Sequence, residues 1–167
     1  MYFPYLFSIC LRYTNDRDEA MSVLNLSFAR IMMNLKKYDS SQPLKTWIRR
    51  VTLNCIIDEF RKTKSYKEHL QLGNDAKMDN ASLANDHQTI GSNLAEVVQT
   101  KLKKLSPVTR SVFNLYAVDG YKHREIAEML NISEGTSAWH YSEAKKAIRE
   151  FLEPEFKHLV KNGRASA

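Results

Sequence analysis

Two short stretches of the chain carry, at helical spacing, side chains of the types suited to pairing with phosphates and base edges. In "LKTWIRRVTLNCIIDEFRK", Arg49 and Arg50 precede Asn54 by about one helical turn. An Arg pairs with phosphates or stacks on an exposed base, and an Asn carboxamide pairs with base edges. In "LNISEGTSAWHYSEAKKAIREF", Ser133 stands where a helix begins and Thr136 follows three residues later. The free amides of a first helical turn donate to a Ser cap and also suit a phosphate. The chemistry on offer is therefore non-covalent. The signatures of covalent or metal chemistry are missing: there is no Gly-rich phosphate loop, no HExxH, no GxSxG and no cluster of metal ligands. His69, His87, His123, His140 and His158 are dispersed, and His123 and Glu125, flanking a helix start, are expected to face solvent. Neither an enzyme nor a cofactor is expected.

Each of these residues also has a plainer reading. Ser133 caps its helix whether or not it meets a phosphate, and Thr136 fits the same turn. Along the helix that follows, Ser137, Tyr141, Ala144, Ile148 and Leu152 form one stripe directed at a core, which leaves Ala138, Trp139, Ser142, Glu143, Lys145, Lys146 and Arg149 on or near the outside. Trp139 suits packing against a neighbour as well as it suits a base. A charge cluster such as Lys145, Lys146 and Arg149 is ordinarily a solvated face, and its place on this helix is what favours phosphate. No Arg or Lys occupies the early turns, so bidentate guanine readout is not evident. Trp47, on the apolar stripe with Val51, belongs to a core.

The elements that position these residues are helical. Phe3, Leu6, Phe7, Cys10 and Leu11 recur at helical spacing with Pro4 in the first turn. "NDRDEA" opens a second, long amphipathic helix through Val23, Leu24, Phe28, Ile31 and Leu35 to about Lys37. After the loop "YDSSQPLK", Leu44, Trp47, Ile48, Val51, Ile56 and Phe60 carry a third helix. Residues 65–92 contain scattered apolar residues among Gly, Asn and Asp and read as a flexible linker. Leu94, Val97, Val98 and Leu102 then pattern a fourth helix. Ser106 and Pro107 open "VTRSVFNLYAVD", which Gly120 closes. "YKHREIAEML", the turn "NIS" and the helix from Ser133 form a helix-turn-helix, with small Ala127 near the crossing and Ile132 in the turn. The expected fold is all-α: a helical domain at residues 1–64, the linker at 65–92, a helix-turn-helix domain at 93–153 and a C-terminal tail at 154–167.

Composition agrees with this organisation. Hydrophobic residues make up 43% of the 167 residues and charged residues 26%, enough apolar material for packed domains. The net charge is +6 and the pI about 9.3, which favours a polyanionic partner. Residues 1–64 hold 11 basic and 6 acidic side chains, 65–92 hold 2 and 4, and 93–167 hold 12 and 9, so both flanking regions are basic and the connector is acidic. Cys10 and Cys55 sit in apolar helical pattern and are expected to be buried and inert. No apolar run reaches the roughly 20 residues of a membrane span, and "MYFPYLFSICLRY" lacks the features of a signal peptide. A cytoplasmic location is expected.

"DEAMSVLNLSFARIMMNLKKYD", "LKTWIRRVTLNCIIDEFRK" and "LSPVTRSVFNLYAVDGYKHREIAEMLNISEGTS", in that order, resemble the conserved stretches of bacterial RNA polymerase sigma factors, most closely the small two-domain extracytoplasmic-function group. The resemblance covers most of the chain outside the linker and the tail. It implies that the first domain is sigma region 2, bound to the minus-ten element, and the second is sigma region 4, bound to the minus-35 element. It places DNA contacts at Arg49, Arg50, Asn54, Asp58, Arg61 and Lys62, with Asn54 against the opened strand. It places the polymerase clamp on the second helix, at the face holding Val23, Asn25, Leu26, Phe28 and Ala29. It implies core RNA polymerase and promoter DNA as partners, and an anti-sigma factor as regulator. The chain departs from the family pattern at Ser22, Asn25 and Leu26, where acidic or Gln side chains are common, and at Ala138, Trp139 and Glu143, where basic or polar ones are frequent. The rival readings are a stand-alone helix-turn-helix regulator and a polymerase-binding decoy.

Overall fold

In the computed structural model, residues 2–62 and 94–163 are described. The expected linker and the last four residues lie outside them. Every regular element among the described residues is helical, and the chain divides into two units.

The first unit packs three helices against one another: α1 (Phe3–Tyr13), α2 (Arg17–Asn34) and α3 (Leu44–Lys62). Helix α1 ends at Thr14, whose extended backbone leaves the helix while its hydroxyl donates to the Cys10 carbonyl at 3.0 Å. Two residues later α2 starts with a reciprocal cap. Asp16 accepts from the Glu19 amide at 2.8 Å, and the Glu19 carboxylate accepts from the Asn15 amide at 2.9 Å. Orphan amides are thus satisfied on both sides of the turn, and the acidic first turn complements the helix dipole. A single 3-10 turn, Leu35–Lys37, follows α2. The loop into α3 is folded on itself by Asp39, which accepts from the Ser41 amide and hydroxyl at 2.9 and 2.7 Å. Leu6, Ile9, Cys10, Leu24, Leu53, Cys55 and Ile56 form the core. Burial pushes the Cys10 thiol up to about 12 and raises Cys55 as well, so both remain neutral thiols in the interior, as the apolar pattern around them predicts. Leu35, placed inward by the helical pattern, is instead 46% exposed, because the change to 3-10 geometry after Asn34 alters its angular position.

The second unit comprises α4 (Leu94–Lys103), α5 (Pro107–Phe113), α6 (His123–Leu130) and α7 (Glu134–Gly163), with most of α6 grouped here. Ser106 caps α5, accepting from the Thr109 amide at 3.2 Å, with Pro107 in the first turn. The continuous helix expected through Val118 is interrupted: Asn114–Val118 form a π turn. Asn114 is fully buried there and its side-chain Oδ1 accepts from the Gln99 carboxamide on α4 at 3.2 Å. Gly120 then adopts φ +80°, a conformation costly for residues with a Cβ. Glu125 reaches back to accept from the Lys122 amide at 2.7 Å and so caps α6. The turn into α7 uses Asn131 at φ +54°, the non-Gly residue most suited to that region, and the Ile132 amide closes α6 on the Ala127 carbonyl at 3.1 Å. Helix α7 continues to Gly163, over ten residues assigned from sequence to the tail.

Candidate nucleic-acid and polymerase interfaces

The helix-turn-helix places its second helix as the sequence predicts. Ser133 accepts from the Thr136 amide at 2.9 Å, and the two hydroxyls lie 2.8 Å apart. Ser137 and Ala144 are fully buried, whereas Tyr141, Ile148 and Leu152 are half-buried. On the other side Trp139, Ser142, Lys145, Lys146 and Arg149 are exposed, and Ala138 and Glu143 are half-buried. Lys145 lies over the Tyr141 ring at 5.1 Å, which holds its ammonium against the helix surface.

His123 corrects the expectation of a solvent-facing residue. Its Nδ1 lies 2.9 Å from the Ser137 hydroxyl, and its ring stacks on Tyr116 with centroids 4.3 Å apart and planes 14° apart. Tyr116 also meets Tyr141 at 4.5 Å. The π turn, His123 and α7 thus share one aromatic cluster that sets the pose of α7. Its signal in the sequence was the aromatic content of "NLYAV" and Tyr141, hidden because a regular helix over 114–118 would rotate Tyr116 differently. Glu125 is exposed, as expected, with its carboxylate used in the cap. His140 joins α7 to α5, with Nδ1 2.9 Å from the Thr109 hydroxyl.

In the first unit, Arg50, Asn54 and Lys62 are exposed along α3 at spacings of four and eight residues, and Arg49 and Arg61 are half-buried. Asp58, between them, accepts from Arg30 of α2 at 2.5 Å, and this hydrogen bond raises the Arg30 pKa. Lys62 pairs with Glu59 at 2.7 Å, but with 67% of its side chain exposed the pair is weak and its ammonium remains accessible to a stronger anion. Trp47, placed in the core by its apolar stripe, is instead half-buried and packs against the half-buried Tyr38, with centroids 5.3 Å apart.

On α2, Asn25 and Ala29 are exposed and Leu26 is half-buried, but Val23 is 7% exposed and belongs to the core. Helices α1 and α3 both pack on α2 and leave little of Val23 for a partner to meet; what remains lines the groove beside Tyr13 and Phe60. Phe28 is half-buried and stacks on Phe3 at 6.4 Å. The outer line of α2 is instead Ser22, Asn25, Ala29 and the pair Met32 and Met33, which are 68% and 81% exposed. The two methionines were missed in the sequence; the signal was the apolar run "IMM", in which only Ile31 fits the buried stripe. A groove of about 190 Å³ beside this face is lined in part by Tyr13, Glu19, Ser22, Glu59 and Phe60; its two carboxylates set it apart from the basic side of α3. Among the described residues no helix is long and apolar enough to cross a membrane, and no group of His, Cys, Asp and Glu is placed to hold a metal ion.

Comparisons with known proteins bear on the two units in turn. The family model for sigma-70 region 2 matches residues 1–66, and that for sigma-70 region 4 matches residues 95–148. The chain is 26% identical to the ECF RNA polymerase sigma factor SigW of Bacillus subtilis (strain 168) over 154 residues, covering 88% of this chain and 82% of the relative. It is 27% identical to the ECF RNA polymerase sigma factor SigM of the same organism over 137 residues, covering 80% of each. Its fold is similar to the sigma factor RpoE solved in complex with the anti-sigma factor NepR from Bartonella quintana, with a TM-score of 0.56 and 18% identity over 90% of this chain and 91% of that one. Two sigma-70 regions in order, each built on a helical unit with an exposed polar face, establish that the chain belongs to the extracytoplasmic-function group of the sigma-70 family, the transcription initiation factors that direct core RNA polymerase to promoters.

Proposed function

We propose that the work of promoter recognition is divided between the two units, with residues 1–64 and 93–153 as the working domains and residues 65–92 as the linker between them. The first domain binds the minus-ten element and assists melting through α3. Asn54 meets a base of the opened strand, and Arg49, Arg50, Arg61 and Lys62 meet phosphates or stacked bases. Asp58 is repelled by phosphate and acts by holding Arg30 and the α2–α3 pair in place. The second domain sets α7 in the major groove of the minus-35 element, with Ser133 and Thr136 at a phosphate, Ala138, Trp139, Ser142 and Glu143 toward the base edges, and Lys145, Lys146 and Arg149 along the backbone. The polymerase clamp is met by Asn25, Leu26 and Ala29 of α2, extended by Met32 and Met33. The chain acts in the cytoplasm without catalysis of its own. The sigma factor with the similar fold was solved with an anti-sigma factor, and such a partner regulates this chain.

The observation that carries this reading is the outward line of Arg50 and Asn54, spaced by one helical turn and free of core packing. A linker makes the second DNA contact intramolecular once the first has formed, so two weak contacts add up to a selective one. The test is run-off transcription with core polymerase on promoters identified by mapping transcript starts after overexpression. Promoter-specific transcripts are expected. Polymerase binding without transcripts would make the chain a decoy, a role compatible with the half-buried Ala138 and acidic Glu143 on α7. DNA binding without polymerase would make it a stand-alone regulator.

A further inference from the structure

The leading turns of α7 have an unusual chemistry for a helix that enters a groove. The outer line runs Gly135, Trp139, Ser142, Lys146, Arg149 at steps of three and four, all exposed. The first cation on this helix is Lys145, in its fourth turn. No side chain of the first two turns offers the paired donors that select guanine. The largest group there is the Trp139 indole, 45% exposed.

That indole is braced. It meets the His140 ring edge-on, with centroids 4.8 Å apart and planes at 68°. His140 Nδ1 is 2.9 Å from the Thr109 hydroxyl, which lies 2.8 Å from the hydroxyl of the α5 cap, Ser106. A chain of contacts therefore runs from the start of α5 to the outer surface of α7. A side chain held in this way loses little rotamer freedom when a partner covers it. The partner must offer an apolar surface to the ring, and the cations further along the helix favour a polyanion. In the major groove the apolar feature of a base edge is the C5 methyl group of thymine.

We infer that Trp139 is a specificity-determining residue that reads thymine methyl groups in the upstream promoter element. The inference rests on the placing of α7 in the major groove and adds to it the class of base that is read. Thymine is selected by burial of its methyl group against the indole, with no hydrogen bond required from the side chain.

The test uses the full chain with core RNA polymerase and a duplex pool randomised over the upstream element. Bound sequences are recovered and remade with uracil in place of thymine, which removes the methyl group alone. Wild-type holoenzyme should bind the thymine duplexes about fourfold more tightly for each methyl group contacted. Trp139→Ala should retain polymerase and bind the two forms equally, and Trp139→Phe should keep part of the discrimination. Equal binding of both forms by the wild type, with binding still salt-sensitive, would overturn the inference and leave the groove placement standing. Persistent discrimination by Trp139→Ala would also overturn it. A Trp139→Ala chain that loses polymerase association would overturn it by identifying the indole as a protein contact. Failure of the wild type to enrich any upstream sequence would remove the groove placement itself.

Discussion

Asp58 on α3 accepts a hydrogen bond from Arg30 on α2 at 2.5 Å, with the two side chains 34% (Arg30) and 41% (Asp58) exposed. The pair joins the helix proposed to meet polymerase to the helix proposed to meet the melted strand. Because both groups remain partly in water, the link is weak energetically; exposed pairs are worth about 0.2–1 kcal/mol. Its value lies in position. Asp58→Asn should therefore lower stability in urea by no more than about 1 kcal/mol while reducing open-complex formation more than polymerase affinity. Exchange of the partners, Arg30→Asp with Asp58→Arg, should recover part of the loss. If Asp58→Asn improves DNA binding and changes nothing else, the carboxylate is only a repulsive neighbour of the DNA.

The exposed line on α3 makes a sharper prediction. Arg50→Ala combined with Asn54→Ala should slow open-complex formation and leave core-polymerase binding unchanged, because neither residue contributes to the core. Stacking and backbone contacts to single strands are worth about 1–3 kcal/mol each, so a loss of tenfold or more in open complex is expected. Permanganate reactivity of unpaired thymines measures it. An equal fall in polymerase binding would contradict the assignment of this face.

Helix α7 presents Lys145, Lys146 and Arg149 to solvent. Each phosphate neutralised by one of them contributes about 0.9 to the slope of log affinity against log salt. Replacement of all three by Gln should flatten that slope by about 2 to 3, measured by titrating duplex DNA at several salt concentrations. An unaltered slope returns the three to a solvated surface. Lys145 is the one most open to exception, since its ammonium already lies over Tyr141.

His123 holds α6 to α7 through the Ser137 hydroxyl and to the π turn through Tyr116. His123→Ala removes one hydrogen bond and one stacked ring, each worth about 0.5–1.5 kcal/mol. A loss of about 1–3 kcal/mol in the second unit is expected by urea unfolding, together with weaker upstream DNA binding. His123→Gln, which can still reach a hydroxyl but cannot stack, should fall between the two. Unchanged stability in His123→Ala would show that the cluster does not set the pose of α7.

Caps and periodicity were the legible part of this fold. Ser106 with Pro107, Ser133 and Gly120 all perform the roles their residue types predict, because capping depends on a few neighbouring atoms. The core stripes, through Leu24 and Ile56 in the first unit and through Ile126 and Ala144 in the second, were legible for the same local reason. Tertiary relationships were not. Val23 and Met32 are both apolar residues on α2, yet one is buried and the other 68% exposed, and the position of α1 and α3 decides which. The π turn opens on a buried Asn114 that meets Gln99 from another helix, a contact that no local pattern encodes. The same holds for the histidines: His123 and His140 look dispersed in sequence, and the fold brings each onto a hydroxyl more than ten residues away.

The central claim is that two separately folded units of one chain hold two sites on one promoter while attached to polymerase. The most direct measurement is a DNase footprint and permanganate map of the complete holoenzyme on a mapped promoter, with the wild type compared with the Arg50→Ala, Asn54→Ala variant. The account predicts upstream protection in both and reactive downstream thymines in the wild type alone. A single protected site, or thymines equally reactive in both proteins, would contradict it.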